Sequence, residues 1–202
     1  MIKITILNRI ILLATGLLAA WQIAVGIDHL GTLPIVAYTV GFGVLLVAGL
    51  LLLILGFEVL DSPIVVIVST IIPLSLSLGL IWDYLPAFRI PYLFFVLLGF
   101  LAIIVTRLVP IKNKLPVIAL ALVHGIAGMT IFLLPIILAF SGRIAPRFAL
   151  VGLGGALIGV GGLLLSFLKT GRPILSRNTI LKFLPGLLLL MTAAFVFGFS
   201  AA

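Results

Sequence analysis

The residue with the widest chemical scope is His124. An imidazole can ligate haem iron, hydrogen-bond a quinone or relay a proton. It stands within the apolar stretch Leu115–Phe140, about eight residues or roughly 12 Å from its start at the helical rise. Its helical neighbours Ala121, Gly125 and Gly128 are small, so this face should pack closely against another helix. The plainer reading is a neutral ring bonded to a nearby carbonyl, and it is the favoured one. The only other histidine, His29, ends the first apolar stretch. Along helices the two rings differ in depth by roughly 15–20 Å, so one chain does not place both on a single iron. A haem-associated anchor would therefore share His124 with a partner subunit, whereas a quinone-associated anchor would use His124 alone. The residues name no cofactor.

The four carboxylates, Asp28, Glu58, Asp61 and Asp83, all fall at or near the ends of apolar stretches. Ionisable groups inside a membrane are costly and mark ion and proton pathways. Their absence from the stretch centres argues against a pump or an ion-coupled carrier. With no cysteine in the chain, thiolate metal sites and Cys nucleophiles are excluded. No Ser-His-Asp or metal-ligand set forms at workable spacing, so an enzyme is not expected. Glu58 and Asp61 lie near the same surface as Arg107, Lys112 and Lys114. That placement suggests an ion pair between loops, or docking of a partner's basic patch.

Uncharged polar groups form a second set. Ser69, Pro73 and Ser77 recur every four residues and share a helical face. Thr70 and Ser75 lie nearby, and Gln22 sits in the first apolar stretch. Such groups normally make interhelical hydrogen bonds. The alternative is a polar strip, Gln22, Ser69 and Ser77, lining a pocket for a neutral solute or a lipid headgroup. Gly152, Gly155, Gly159 and Gly162 carry no nucleotide-loop context, because no strand precedes them and no Lys-Ser/Thr follows. They read as a helix-packing face, Gly155 and Gly159 being a small-xxx-small pair.

These residues need elements to position them, and composition decides which kind. Of the 202 residues, 64% are hydrophobic and 8% charged, against about 25% charged in soluble domains. Mean hydropathy is +1.55. Seven apolar stretches are visible, Ile10–Ile27, Leu33–Phe57, Pro63–Trp82, Pro91–Thr106, Leu115–Phe140, Phe148–Leu168 and Phe183–Phe199. The expectation is an all-α, polytopic transmembrane bundle forming one integral membrane domain over 1–202, since about 20 apolar residues cross a bilayer. The first, fourth and last stretches are near the short limit, and a re-entrant last stretch would leave six spans. Nothing alternates with period two as a membrane barrel requires. The first stretch is longer than a signal-peptide core of about 7–15 residues and reads as a span. Pro34, Pro63, Pro91, Pro116 and Pro146 mark span starts, whereas Pro73, Pro135 and Pro185 lie deeper, where they kink helices or free carbonyls.

The net charge of +8 does not indicate nucleic acid, because the basic residues occupy short gaps between apolar runs. Nine of them (Lys3, Arg9, Arg107, Lys112, Lys114, Lys169, Arg172, Arg177 and Lys182) fall on one side if the spans alternate, and three (Arg89, Arg143 and Arg147) on the other. The positive-inside rule then makes the chain N-in and C-out. Trp82 and Tyr84 match an outer aromatic belt. The expected location is a prokaryotic-type plasma membrane.

A shift of 112 residues pairs Gly16 with Gly128, Pro34 with Pro146, Ala37 with Ala149, Gly43 with Gly155, Gly49 with Gly161 and Pro73 with Pro185. It lays spans 1–3 over spans 5–7 as a candidate parallel repeat, with span 4 as linker. This 3+1+3 plan resembles the layout of SWEET-type sugar carriers. The chain lacks a Pro-Gln loop signature and has the opposite expected orientation, so no function transfers. The leading expectation is a noncatalytic membrane subunit packed among other membrane subunits, in a complex of the energy-transducing kind, with lipid as its other partner. The alternative is a small facilitator that transports a neutral solute or lipid, which requires a central cavity lined by Gln22, Ser69, Ser77 or His124.

Overall fold

The computed structural model describes residues 4–27, 30–111, 113–169 and 175–200, apart from the side chains at 163 and 166–169. Seven α-helices follow one another: α1 (Ile6–Val25), α2 (Thr32–Leu55), α3 (Pro63–Tyr84), α4 (Arg89–Leu108), α5 (Leu115–Phe140), α6 (Ala149–Lys169) and α7 (Arg177–Phe199). There is no strand among the described residues. Six helices are long and apolar enough to cross a membrane, and α6 is apolar along Pro146–Gly162.

Local chemistry sets the helix ends. Thr5 caps α1 by accepting a hydrogen bond from the Asn8 amide at 3.2 Å, and Ser176 caps α7 by accepting one from Thr179 at 3.1 Å. Each satisfies an amide with no partner within its helix. Proline opens α3 and α5 in the first turn, where its missing N–H costs nothing. The cap at Ser176 corrects the expected seventh span. The helix begins at Arg177, six residues before Phe183, and runs 23 residues. Arg177, Asn178 and Lys182 hide its first turns from a hydropathy reading. Pro73, Pro135 and Pro185 are all inside helices.

Neighbouring helices close into a ring in the order α1–α2–α3–α5–α6–α7–α1. α4 stays outside and packs on α3 and α5. The order of the six ring helices maps onto itself when α1, α2 and α3 are exchanged with α5, α6 and α7, whereas the contacts of α4 do not. Consecutive helices alternate in direction. Arg9, Arg107, Lys114, Arg177 and Lys182 therefore share one end, here called the basic face, and Arg89, Arg143 and Arg147 lie at the opposite face.

Aromatic side chains fill the ring interior toward the opposite face. Phe199 lies 4.6 Å from Tyr38, 6.0 Å from Phe42, 6.0 Å from Phe148 and 6.4 Å from Phe195, between ring centroids. Tyr84 joins them through Phe148 at 5.4 Å. Near the basic face, Gly56 turns the chain with a φ of +82°, a region that favours glycine. The following 3-10 turn, Phe57–Asp61, tucks Phe57 among Leu12, Leu52, Leu181 and Leu184. Asp61 on that turn bonds Arg177 of α7 at 2.9 Å, and not Arg107 or Lys114; Lys112 lies outside the described residues.

Two stability outcomes follow. Phe199→Ala removes the ring on which four others converge and should cost about 3 kcal/mol, as for other buried Phe truncations, read as lost thermal stability in detergent. Asp61→Asn breaks an ion pair whose side chains are both more than half exposed. It should change stability by less than about 1 kcal/mol; a larger loss in the same melting assay would show that the pair is structural.

Candidate functional site

His124 lies on α5, half-buried, with Nδ1 3.2 Å from the Leu120 carbonyl oxygen of the preceding turn. That contact accounts for one ring nitrogen within the helix, the arrangement expected of the plainer reading. His29 and Asp28 lie outside the described residues. No group of three His, Cys, Asp or Glu side chains able to hold a metal occurs among the described residues.

The hydroxyl groups bind their own helices. Thr15 donates to Ile11, Thr70 to Val66, Ser75 to Ile71, Ser77 to Pro73 and Thr192 to Leu188, each reaching a carbonyl oxygen four residues back at 2.6–2.9 Å. In lipid this satisfies a polar group without a partner helix. Ser69, half-buried, donates to the Val66 oxygen at 3.1 Å, whereas Ser77 is fully buried. Gln22 donates from Nε2 to the Gly26 oxygen at 2.8 Å, near the far end of α1. It lines a space of about 20 Å³ with Tyr38, Thr39 and Phe42, enough for a water and no more. Gln22, Ser69, Ser77 and His124 thus sit on three helices at separate places, and that space is not a shared chamber. A side-chain bond between helices does occur elsewhere, where the Tyr92 hydroxyl of α4 donates to Thr130 of α5 at 3.3 Å.

The four glycines of α6 divide into two pairs. A Cβ at Gly152 would stand 2.6 Å from the Phe132 carbonyl oxygen, and one at Gly155 2.8 Å from Ile131 and 2.9 Å from the Phe132 amide nitrogen. These two let the α6 backbone lie against α5. Gly159 and Gly162 are exposed and have nothing within 4 Å of a Cβ position among the described residues. On α5, Gly125 is exposed and Gly128 half-buried, and neither has anything within 4 Å of a Cβ position among the described residues. Extending the antiparallel α5–α6 register toward the basic face brings Gly128 level with Gly159 and Gly125 level with Gly162. Four glycines from two helices thus leave one open band, which the spacing of α6 alone did not reveal. A second open surface, a groove of about 490 Å³, lies between the far end of α3 and α5, lined by Ile81, Leu85, Ile126, Met129, Leu133 and Ile137.

On the basic face, Glu58 has no bonded partner among the described residues, while Asp61 is held by Arg177. At the opposite face, the Arg89 guanidinium stands 5.7 Å from the Trp82 ring and donates from Nε to the Trp82 oxygen at 2.6 Å.

No family model matches the chain, and no curated protein or solved structure is significantly similar to it. What its residues do must be read from the molecule. Large apolar side chains are exposed along the helices, including Ile54, Phe94, Leu98, Leu122 and Leu190, a surface that only lipid or protein can solvate. The chain is a helical integral membrane protein.

The two glycine pairs should respond oppositely to one methyl group. Gly155→Ala forces Cβ against backbone and should cost about 1–3 kcal/mol, the usual penalty of overpacking. Gly159→Ala meets nothing and should be neutral, or stabilising by up to about 1 kcal/mol through helix propensity. Melting temperatures of the two variants in the same detergent check this ordering.

Proposed function

We propose that this protein is a noncatalytic membrane subunit, docking a transmembrane helix of a partner along the open glycine band of α5 and α6. The observation that carries the reading is the set of four unopposed glycines, Gly125, Gly128, Gly159 and Gly162. Between helices in lipid there is little hydrophobic driving force, so association depends on close packing, and small residues permit it. Elsewhere in the ring, glycines that meet a neighbour do so at van der Waals distance or closer. A helix bearing small or flat side chains fits the open band in the same manner.

The facilitator reading required a central chamber lined by Gln22, Ser69, Ser77 or His124. Those side chains are dispersed, and an aromatic cluster occupies the ring interior toward one face. Nothing in this arrangement favours a solute path, and that reading is set aside.

The test is purification in a gentle detergent, followed by quantification of co-isolated membrane proteins. A stoichiometric partner is expected. Gly125→Leu and Gly159→Leu, both filling open space, should release it while leaving the melting temperature of the isolated chain near that of the parent. A protein that is solitary and monodisperse when extracted in its native lipid, or a partner retained by both variants, would overturn the proposal.

A further inference from the structure

Arg107 lies in the last turn of α4, near the basic face. Its place on the helix is unusual for a cation. It follows Ile103 by one turn, and Ile103 is fully buried, as is the adjacent Thr106 to nine-tenths. Arginine at a helix end ordinarily swings its head group into water along an apolar stem. Here the Nε atom is buried and has no hydrogen-bond partner among the described residues. A buried guanidinium donor left without an acceptor is costly.

No carboxylate among the described residues is paired with it. Asp61 is engaged by Arg177, Glu58 on the same turn as Asp61 makes no ion pair with Arg107, and Asp83 lies at the opposite end of α3. His124, on the adjacent helix α5, is no counter-ion. Lys114, at the start of α5, adds a further exposed positive charge on the same face. An anion with oxygen acceptors able to meet the planar guanidinium fork would complement this charge.

Its surroundings say where that anion comes from. Leu101, Val105 and Leu108 of α4 are exposed, as are Leu115, Ile118 and Leu122 of α5. An anion approaching Arg107 thus meets apolar walls suited to acyl chains below a basic rim. Basic pockets between transmembrane helices near the membrane surface hold anionic head groups in this way. We infer that Arg107 holds the phosphate of one anionic phospholipid at the α4–α5 end of the basic face, with its acyl chains lying along the outer sides of these helices. This inference is independent of the partner helix proposed above, whose glycine band lies on α5 and α6.

The test is native mass spectrometry of the full chain, exchanged into detergent with equal phosphatidylglycerol and phosphatidylcholine. The parent protein should retain one phosphatidylglycerol with a preference of about fivefold, the scale of one basic residue at an anionic surface. Arg107→Met, which keeps the apolar stem, should bring the two lipids to parity. Arg107→Lys keeps the charge without Nε or the fork and should retain less than the parent; it also serves if the methionine variant does not fold. Lys182→Gln, a charge loss elsewhere on the basic face, should leave the preference intact. Unchanged retention in Arg107→Met and Arg107→Lys would overturn the inference, as would an equal loss in Lys182→Gln. Full displacement of the lipid by soluble glycerol phosphate would make this a free-phosphate site and overturn the assignment to lipid.

Discussion

Apolar side chains gain little by leaving lipid tails for one another, so a bundle in a membrane must be held by fit. In this chain the fit comes from glycine set against bulk. Tyr38 lies against Gly79, Phe195 against Gly154, Val151 against Gly198, and the α5 backbone against Gly155. Each pairing brings a large group or a main chain into the space a Cβ would occupy, and dispersion contacts accumulate at short range. The aromatic cluster depends on this. Phe195 and Tyr38 reach Phe199 and Phe42 only because the glycines beneath them give way. Contacts of this kind join α2 to α3, α5 to α6 and α6 to α7 around the ring.

The helix count and most limits were legible, and α5 spans the residues its apolar run predicts, Leu115–Phe140. The start of α7 was not, because hydropathy penalises polar residues that a helix tolerates at its end, while the capping pattern from Ser176 to Thr179 is short. The site was less legible. Gly155 and Gly159 look equivalent at four-residue spacing, yet one is pressed against α5 and the other faces open space. Sequence spacing places residues on a face and carries no information on where two helices part. The Asp61–Arg177 pair joins residues 116 apart in the chain, and nothing local selects Arg177 over Arg107. Phe42, Phe195 and Phe199 are indistinguishable in a hydropathy pattern from the lipid-facing Phe94 and Phe183; only the tertiary arrangement separates them.

Polar groups show the same economy from the other side. A hydroxyl that bonds the carbonyl one turn earlier is satisfied before any neighbour arrives. Ser75, Ser77 and Thr192 can therefore be buried without committing the helix to a polar partner. Arg107 has no such local remedy, since an arginine offers donors only and its Nε has none of the acceptors that the serines find. The contrast explains why small polar residues are scattered through the interior while, among the described residues, the Arg107 guanidinium stands out.

The position of α4 has a consequence for how the chain is written into a membrane. A unit of three helices begins on one side and ends on the other, so two such units joined directly would enter in opposite senses. One additional crossing restores parity, and α1 and α5 then run in the same direction. Among the described residues α4 packs on α3 and α5, so it meets this requirement without a place in the ring. Its apolar surface is left almost wholly to the surroundings, which makes it less a wall of the bundle than a reversal of strand sense cast as a helix.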